Sequence, residues 1–423
     1  MSVSEDALTA AFAEKNAWLG TLSKGIGVLV ILALGLIPVY KFGSGGFQPV
    51  DAFIVMLMIT ALFVRDVHED IKKHVYLLLP FIIWAVLINL GYYLSYKADV
   101  SLMLLVTVAY NFCVLWCFTT IFTEVLSKKG IGYIYLGLTL ALILVFTVKG
   151  HREWEGARSS YSFNNPNQLA FFCIFAYSVI LLLMQYRKDY NINDKVYYIF
   201  DIIILLTIQY LLWKALSRAG LVASMVLTLA LVRKIFSKEL FIPVSVVISV
   251  LLIFFLVINP TFIQDRLASR DQESISEGAL ERRIGSAVLY PMRNLKGIKV
   301  IIGTGALFVE RENPMRFKGY FTEVHNMLGH VLWVYGLIGL LLFVPWLIKS
   351  VWEARILRDG LFIWAAFLAF GIGGVVVRSR VFWIIQGLLL ALVGLKLRNE
   401  KQRGSSDAAV EIRGDQVESK PPI

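Results

Sequence analysis

Apolar residues along the chain fall into twelve runs separated by mostly short polar intervals, near 17–40, 50–64, 75–96, 101–126, 131–148, 167–186, 196–213, 217–233, 241–259, 327–348, 360–377 and 381–397. A helical run of about 20 apolar residues matches the hydrocarbon thickness of a bilayer. The pattern therefore predicts an all-α polytopic membrane protein with about twelve transmembrane helices. Pro80, Gly371, Gly373 and Gly374 fall inside runs, which is tolerated where neighbouring helices cover the freed backbone groups. One polar interval breaks the rhythm, from Pro260 to the His325-Asn326 pair. Ordering so long a loop costs conformational entropy that a function would justify. The expected organisation is helices one to nine over 1–258, a large loop over 259–326, helices ten to twelve over 327–398, and a short disordered tail over 399–423.

Composition agrees with the pattern. Hydrophobic residues make up 58% of the chain and charged residues 17%, with a mean hydropathy of +0.70, far from the balance of a soluble domain. The net charge of +11 does not imply nucleic-acid binding, because Lys and Arg between spans serve to orient them. Cys113, Cys117 and Cys173 all lie inside apolar runs, which suggests neither a disulfide framework nor a thiolate metal site. Met1 to Asn16 is polar, with Glu5, Asp6 and Glu14, so no cleavable signal sequence is expected.

The basic residues divide the loops into two sets. Arg65, Lys72 and Lys73; Lys128 and Lys129; Arg187, Lys188 and Lys195; Arg233, Lys234 and Lys238; Lys349, Arg355 and Arg358; and the residues after span twelve share one face. The positive-inside rule assigns that face and both termini to the cytoplasm, and the long loop to the outside. Against that bias the outer side carries Arg152 and Arg158 before Asn165-Pro166-Asn167, Ser217-Arg218-Ala219-Gly220 at the head of span eight, and Arg378-Ser379-Arg380 before span twelve. Orientation does not need these cations, and a ligand is one reason to keep them.

Each of these features has a plain structural reading beside the functional one. Asn165 as a cap with Pro166 in the first turn is a sufficient account of a helix start. Ser217 caps span eight, and Arg218 stands at its positive end, where an anion would be favoured; a snorkelling interfacial arginine is the alternative. His325 lies where the long loop meets the membrane, with Glu323 and Asn326 beside it, and a neutral imidazole there can take a proton from a hydroxyl. His330 points from a different helix face and reads as packing; His68, His74 and His151 have no partner at useful spacing. Glu273, Glu277 and Glu281 recur at helical spacing before Arg282 and Arg283, as on an amphipathic surface helix. Asp271 and Glu273 lack a third ligand, so no metal is expected. Gly303-Thr304-Gly305 lacks the context of a nucleotide fingerprint and reads as a turn.

In order and spacing, Arg152/Arg158 with Asn165-Pro166-Asn167, then Ser217-Arg218-Ala219-Gly220, then an outer loop with Arg282-Arg283, Gly303-Thr304-Gly305 and His325-Asn326 resemble the bacterial O-antigen ligase (WaaL) family of the Wzy-like superfamily. The resemblance covers nearly the whole chain. It implies a membrane-embedded GT-C-like glycosyltransferase of the bacterial inner membrane with one large periplasmic loop between helices nine and ten. The implied reaction is transfer of O-antigen from undecaprenyl pyrophosphate to a sugar hydroxyl of the lipid A–core oligosaccharide, inverting, free of metal or other cofactor, with a monomer sufficient. By the same resemblance His325 is the base, Arg218 and either Arg282 or Arg283 bind pyrophosphate, Arg152 and Arg158 bind pyrophosphate or glycan, and Asn167, Ser217, Glu323 and Asn326 support them. The family often has an aromatic residue shortly after its loop arginine, where this chain has Ser286-Ala287.

Three other readings stay open at this point: an O-antigen polymerase, a protein O-oligosaccharyltransferase of the same superfamily, and a lipid-linked glycan transporter or flippase. The tail after span twelve supplies no extra C-terminal domain of the kind oligosaccharyltransferases carry. Paired mid-bilayer charges and an inverted repeat, the marks of a transporter, are not evident, and Asp201 lies near the cytoplasmic end of span seven.

Overall fold

A computed structural model describes residues 23–40, 47–64, 67–96, 99–148, 159–163, 165–215, 217–235, 295–305, 327–372 and 376–418. All regular structure among the described residues is helical. In chain order the helices are α1 (Ser23–Gly35), α2 (Pro49–Ala61), α3 (Glu69–Tyr76), α4 (Leu79–Tyr96), α5 (Asp99–Ser127), α6 (Ile131–Thr147), α7 (Pro166–Asp189), α8 (Lys195–Ala215), α9 (Arg218–Ile235), the short α10 (Lys299–Ile302), α11 (Met327–Ala354), α12 (Gly360–Ile372) and α13 (Arg380–Glu418). Six of these stretches are long and apolar enough to cross a bilayer, and four more are shorter apolar helices. The chain is a membrane-spanning helical protein. The run near 241–259 lies outside the described residues, as do positions 259–294 and 306–326 of the expected loop.

Local chemistry sets the helix starts. The Gln48 N–H donates to the Asp51 carboxylate at 2.6 Å, with Pro49 in the first turn of α2. Asn165 Oδ1 accepts from the Gln168 N–H at 2.9 Å at the head of α7, satisfying a donor that the helix cannot satisfy itself. α12 is described as far as Ile372, and a 3-10 turn over Val376–Arg378 leads into α13, so the end of the run near 360–377 is not α-helical. The tail also departs from expectation. α13 continues to Glu418, where disorder was expected from 399 onward. Extending an anchored helix needs no new nucleation, and Ala408, Ala409 and Glu411 are good helix formers.

α7 is the axis of the bundle. Protein surrounds 94% of its apolar stretch, and α8, α9, α12 and α13 all pack on it. α13 packs along α5 in the same direction: Val377, just ahead of α13, accepts from Asn111 at 3.4 Å, and Gly387 meets Phe118 and Thr119 farther down. The alternation gives the bundle two ends. The upper end holds the starts of α2, α5, α7, α9, α11 and α13, and the lower end holds the starts of α3, α6, α8 and α12. The upper end is the one whose loops were assigned to the outside.

Candidate functional site at the upper end

The heads of α7 and α9 lie side by side. Ser217 is buried, and its hydroxyl accepts from the Gly220 N–H at 3.3 Å, capping α9 as its sequence suggests. Gly220 is needed for the approach, because a Cβ there would stand 2.8 Å from the Ala170 Cβ of α7. Two helix N-termini in contact add their partial positive charges, each worth about 0.3–1 kcal/mol to a nearby anion. Arg218 is the first residue of α9, with its side chain outside the described atoms. Asn167 is exposed in the first turn of α7. The loop leading into α7 is held by the Ser159 N–H donating to the Lys214 carbonyl at 3.0 Å. Burial, reinforced by its hydrogen bond with Tyr210, pushes the Tyr161 phenol up to about 12, so it stays neutral in that loop.

α11 is broken near its upper end, and the loop repairs it. Gly336 has φ 68° and ψ −170°, which interrupts the helical ladder and frees the carbonyls before it. The Thr304 N–H and hydroxyl both donate to the Trp333 carbonyl at 3.0 Å, and the Gly305 N–H donates to Val334 at 2.9 Å. Trp84 of α4 donates to the Tyr335 carbonyl at 2.9 Å, and Tyr92 of α4 donates to the Gly303 carbonyl at 3.0 Å. Gly303-Thr304-Gly305 is thus a turn, as expected, but one that reaches into the bundle and satisfies backbone groups that lipid could not. The segment 306–326, with Glu323, His325 and Asn326, lies in sequence between this staple and Met327 and outside the described residues.

Met327 in turn abuts α12, with its Cβ 3.6 Å from where a Gly371 Cβ would stand. One residue earlier, Phe370 packs on Phe171 of α7 with ring centroids 4.9 Å apart. Ala170, the neighbour of Phe171, is the residue that meets Gly220. The start of α11 and the start of α9 therefore converge at the upper end through α12 and α7. Among the expected site residues the fold brings together Asn167, Ser217 and the backbone of Arg218. Arg152, Arg158, Arg282, Arg283, Glu323, His325 and Asn326 lie outside the described residues.

Two of the upper-end cations have roles that their spacing did not reveal. Arg380 forms an ion pair with Asp51, and the Tyr110 hydroxyl donates to the same carboxylate at 2.6 Å. This cluster ties α2, α5 and α13 together, so Arg380 is explained by the fold. Arg378 lines a cavity of about 30 Å³ with His330, Asn111 and Tyr335, room for about one water. His330 is buried, as a packing residue would be, and lines this mostly apolar cavity beside Asn111 and Arg378. The signal that could have found it is the pair of polar residues, Asn111 and His330, inside two otherwise apolar runs.

The lower end is cross-tied. Buried His74 meets Glu353 through Nδ1 and the Ser350 hydroxyl through Nε2 at 2.8 Å, correcting the expectation that His74 lacks a partner. Arg187 pairs with Asp201, which also accepts from the Tyr135 hydroxyl at 2.6 Å. Lys234 pairs with buried Asp359 at 2.5 Å, and the Asp359 N–H reaches the Gln185 amide at 3.3 Å. Among the described residues no group of three or more His, Cys, Asp and Glu side chains could hold a metal ion, and all three cysteines are free. The acidic cluster from Asp271 to Glu281 lies outside the described residues. No family model matches the chain, and a search of curated proteins finds none similar to it.

Proposed function

We propose that this chain is an inner-membrane glycosyltransferase of the O-antigen ligase kind, with about twelve spans, a GT-C-like arrangement and its chemistry on the periplasmic face. The observation that carries the reading is the convergence of the paired α7 and α9 heads with the start of α11. Arg218 opens α9, and His325 stands two residues before α11. A diphosphate leaving group gathers negative charge in the transition state. Helix N-termini and guanidinium forks placed where that charge develops stabilise it by about 3–4 kcal/mol per well-placed donor. The donor set is Arg218 with Arg152, Arg158 and Arg282 or Arg283, supported by Ser217 and Asn167.

An acceptor sugar hydroxyl is a weak nucleophile, and His325 as general base, held by Glu323 or Asn326, contributes roughly a hundred- to ten-thousandfold. Attack opposite the leaving group inverts the anomeric carbon without a covalent intermediate. The donor is an undecaprenyl-pyrophosphate O-antigen, the acceptor is lipid A–core, and no metal or cofactor takes part. The lower end argues against a transporter, because alternating access would have to open a face that three buried ion-pair clusters hold shut.

The deciding experiment mixes the purified chain with defined undecaprenyl-pyrophosphate glycan and lipid A–core in the presence of EDTA. Ligation that disappears in Arg218→Ala and His325→Ala supports the reading. Glycan lengthening without acceptor lipid points instead to a polymerase, transfer to protein to an oligosaccharyltransferase, and transbilayer movement alone to a flippase.

A further inference from the structure

A cavity of about 290 Å³ sits at the lower end, remote from the site above. Its walls come from the segment after α2 (Val64), from α3 (Lys72, Val75, Tyr76) and from α5 (Trp116, Thr119). It faces outward from the bundle. Tyr76 in its wall is 54% exposed, and Cys113, one turn from Trp116 on α5, is exposed as well. Trp116 lies eleven residues before the last residue of α5, about 16 Å down the helix. The cavity therefore runs from the charged first turns of α3 to the depth of acyl chains.

Its mouth is charged but balanced. Lys72 lines it and pairs with Glu69 at 2.7 Å, so the cation at the cavity has a carboxylate one turn away. An anionic headgroup would meet repulsion from the Glu69 carboxylate, and an inorganic anion would gain nothing from the apolar walls. A zwitterion finds both of its charges answered. A primary ammonium also donates hydrogen bonds to a carboxylate, which a quaternary one cannot.

We propose that this cavity is a binding site for one zwitterionic aminophospholipid. Its phosphate sits on Lys72, its ammonium on Glu69, and its first acyl chain along Val75, Tyr76 and Trp116. Aromatic residues with an apolar body and a polar edge are the side chains that suit this depth.

The test is native mass spectrometry of the full-length chain after reconstitution in vesicles of equal parts phosphatidylethanolamine, phosphatidylglycerol and phosphatidylcholine. One phosphatidylethanolamine retained several-fold over the other two lipids is the expected result. The exchange variant Glu69→Lys/Lys72→Glu keeps the intrahelical pair but moves the cation away from the cavity, and should abolish the preference. Val64→Trp fills the space without touching charge and should lower retention of the bound lipid. Equal retention of the three lipids, a preference for phosphatidylglycerol, or an unchanged preference in both variants would overturn the proposal. Size-exclusion profiles matching the parent show that the variants fold.

Discussion

Gly303 and Gly336 face each other with backbone angles that essentially only glycine adopts: φ 88°, ψ −177° and φ 68°, ψ −170°. A Cβ on Gly303 would stand 2.6 Å from the Gly336 nitrogen, so the close approach and the unusual angles require each other. Gly336→Ala should cost about 1–3 kcal/mol in backbone strain alone, read as a lower melting temperature in detergent. Thr304→Val keeps the backbone bond to Trp333 but loses the hydroxyl bond, and should cost only about 1 kcal/mol. Equal stability of Gly336→Ala and the parent would mean that the break in α11 is not glycine-dependent.

Gly220→Leu should push the heads of α7 and α9 apart, since the site leaves no room for even one methyl beside Ala170. Misplacing a binding group by about 1 Å can cost on the order of a hundredfold in rate. We expect transfer to fall by about that factor while the protein still inserts, checked by ligation rate against the amount of folded protein. Full activity would show that the paired helix heads do not serve the reaction.

Arg380 and Arg378 stand two residues apart with different roles, and mutation should separate them. Arg380→Ala strands the Asp51 carboxylate in a largely buried cluster, a change worth roughly 3–5 kcal/mol where burial is complete. The double variant Asp51→Ala/Arg380→Ala should recover part of that loss. Additive losses in the double-mutant cycle would show that the pair is not coupled.

At the lower end, His74→Ala leaves the Glu353 carboxylate without its imidazole and should lower the melting temperature by several degrees. Transfer per folded molecule should stay at the parent level, because the cluster lies at the opposite end from Arg218. A loss of specific activity with unchanged stability would contradict the division of the bundle into a tied end and a reactive end.

Much of the fold was legible because apolar run length and polar punctuation are local signals. Eleven of the twelve runs carry a helix, counted from α1, α2, the α3–α4 stretch, α5 to α9, and α11 to α13. Asn165 and Ser217 cap helices as their types suggest, and Gly303-Thr304-Gly305 is a turn. What the sequence hid is long-range. Asp51 and Arg380 are 329 positions apart, and His74 and Glu353 are 279; spacing rules reach only one or two helical turns. The break at Gly336 was also silent, because a glycine inside an apolar run reads the same whether the helix passes through it or stops there. Of the expected site, only the α7 and α9 heads fall among the described residues.

The enclosure of α7 bears on how the chain is made. Each of the helices that wall it in, α8, α9, α12 and α13, is synthesised after it, and α13 emerges last. During translation the future axis of the bundle must therefore wait against lipid or an insertion factor, which its largely apolar middle, Leu169 to Met184, permits. Chains truncated before Arg380 would keep α8, α9 and α12 on α7 but leave the face that α13 covers open to lipid, so α13 completes the enclosure of the axis.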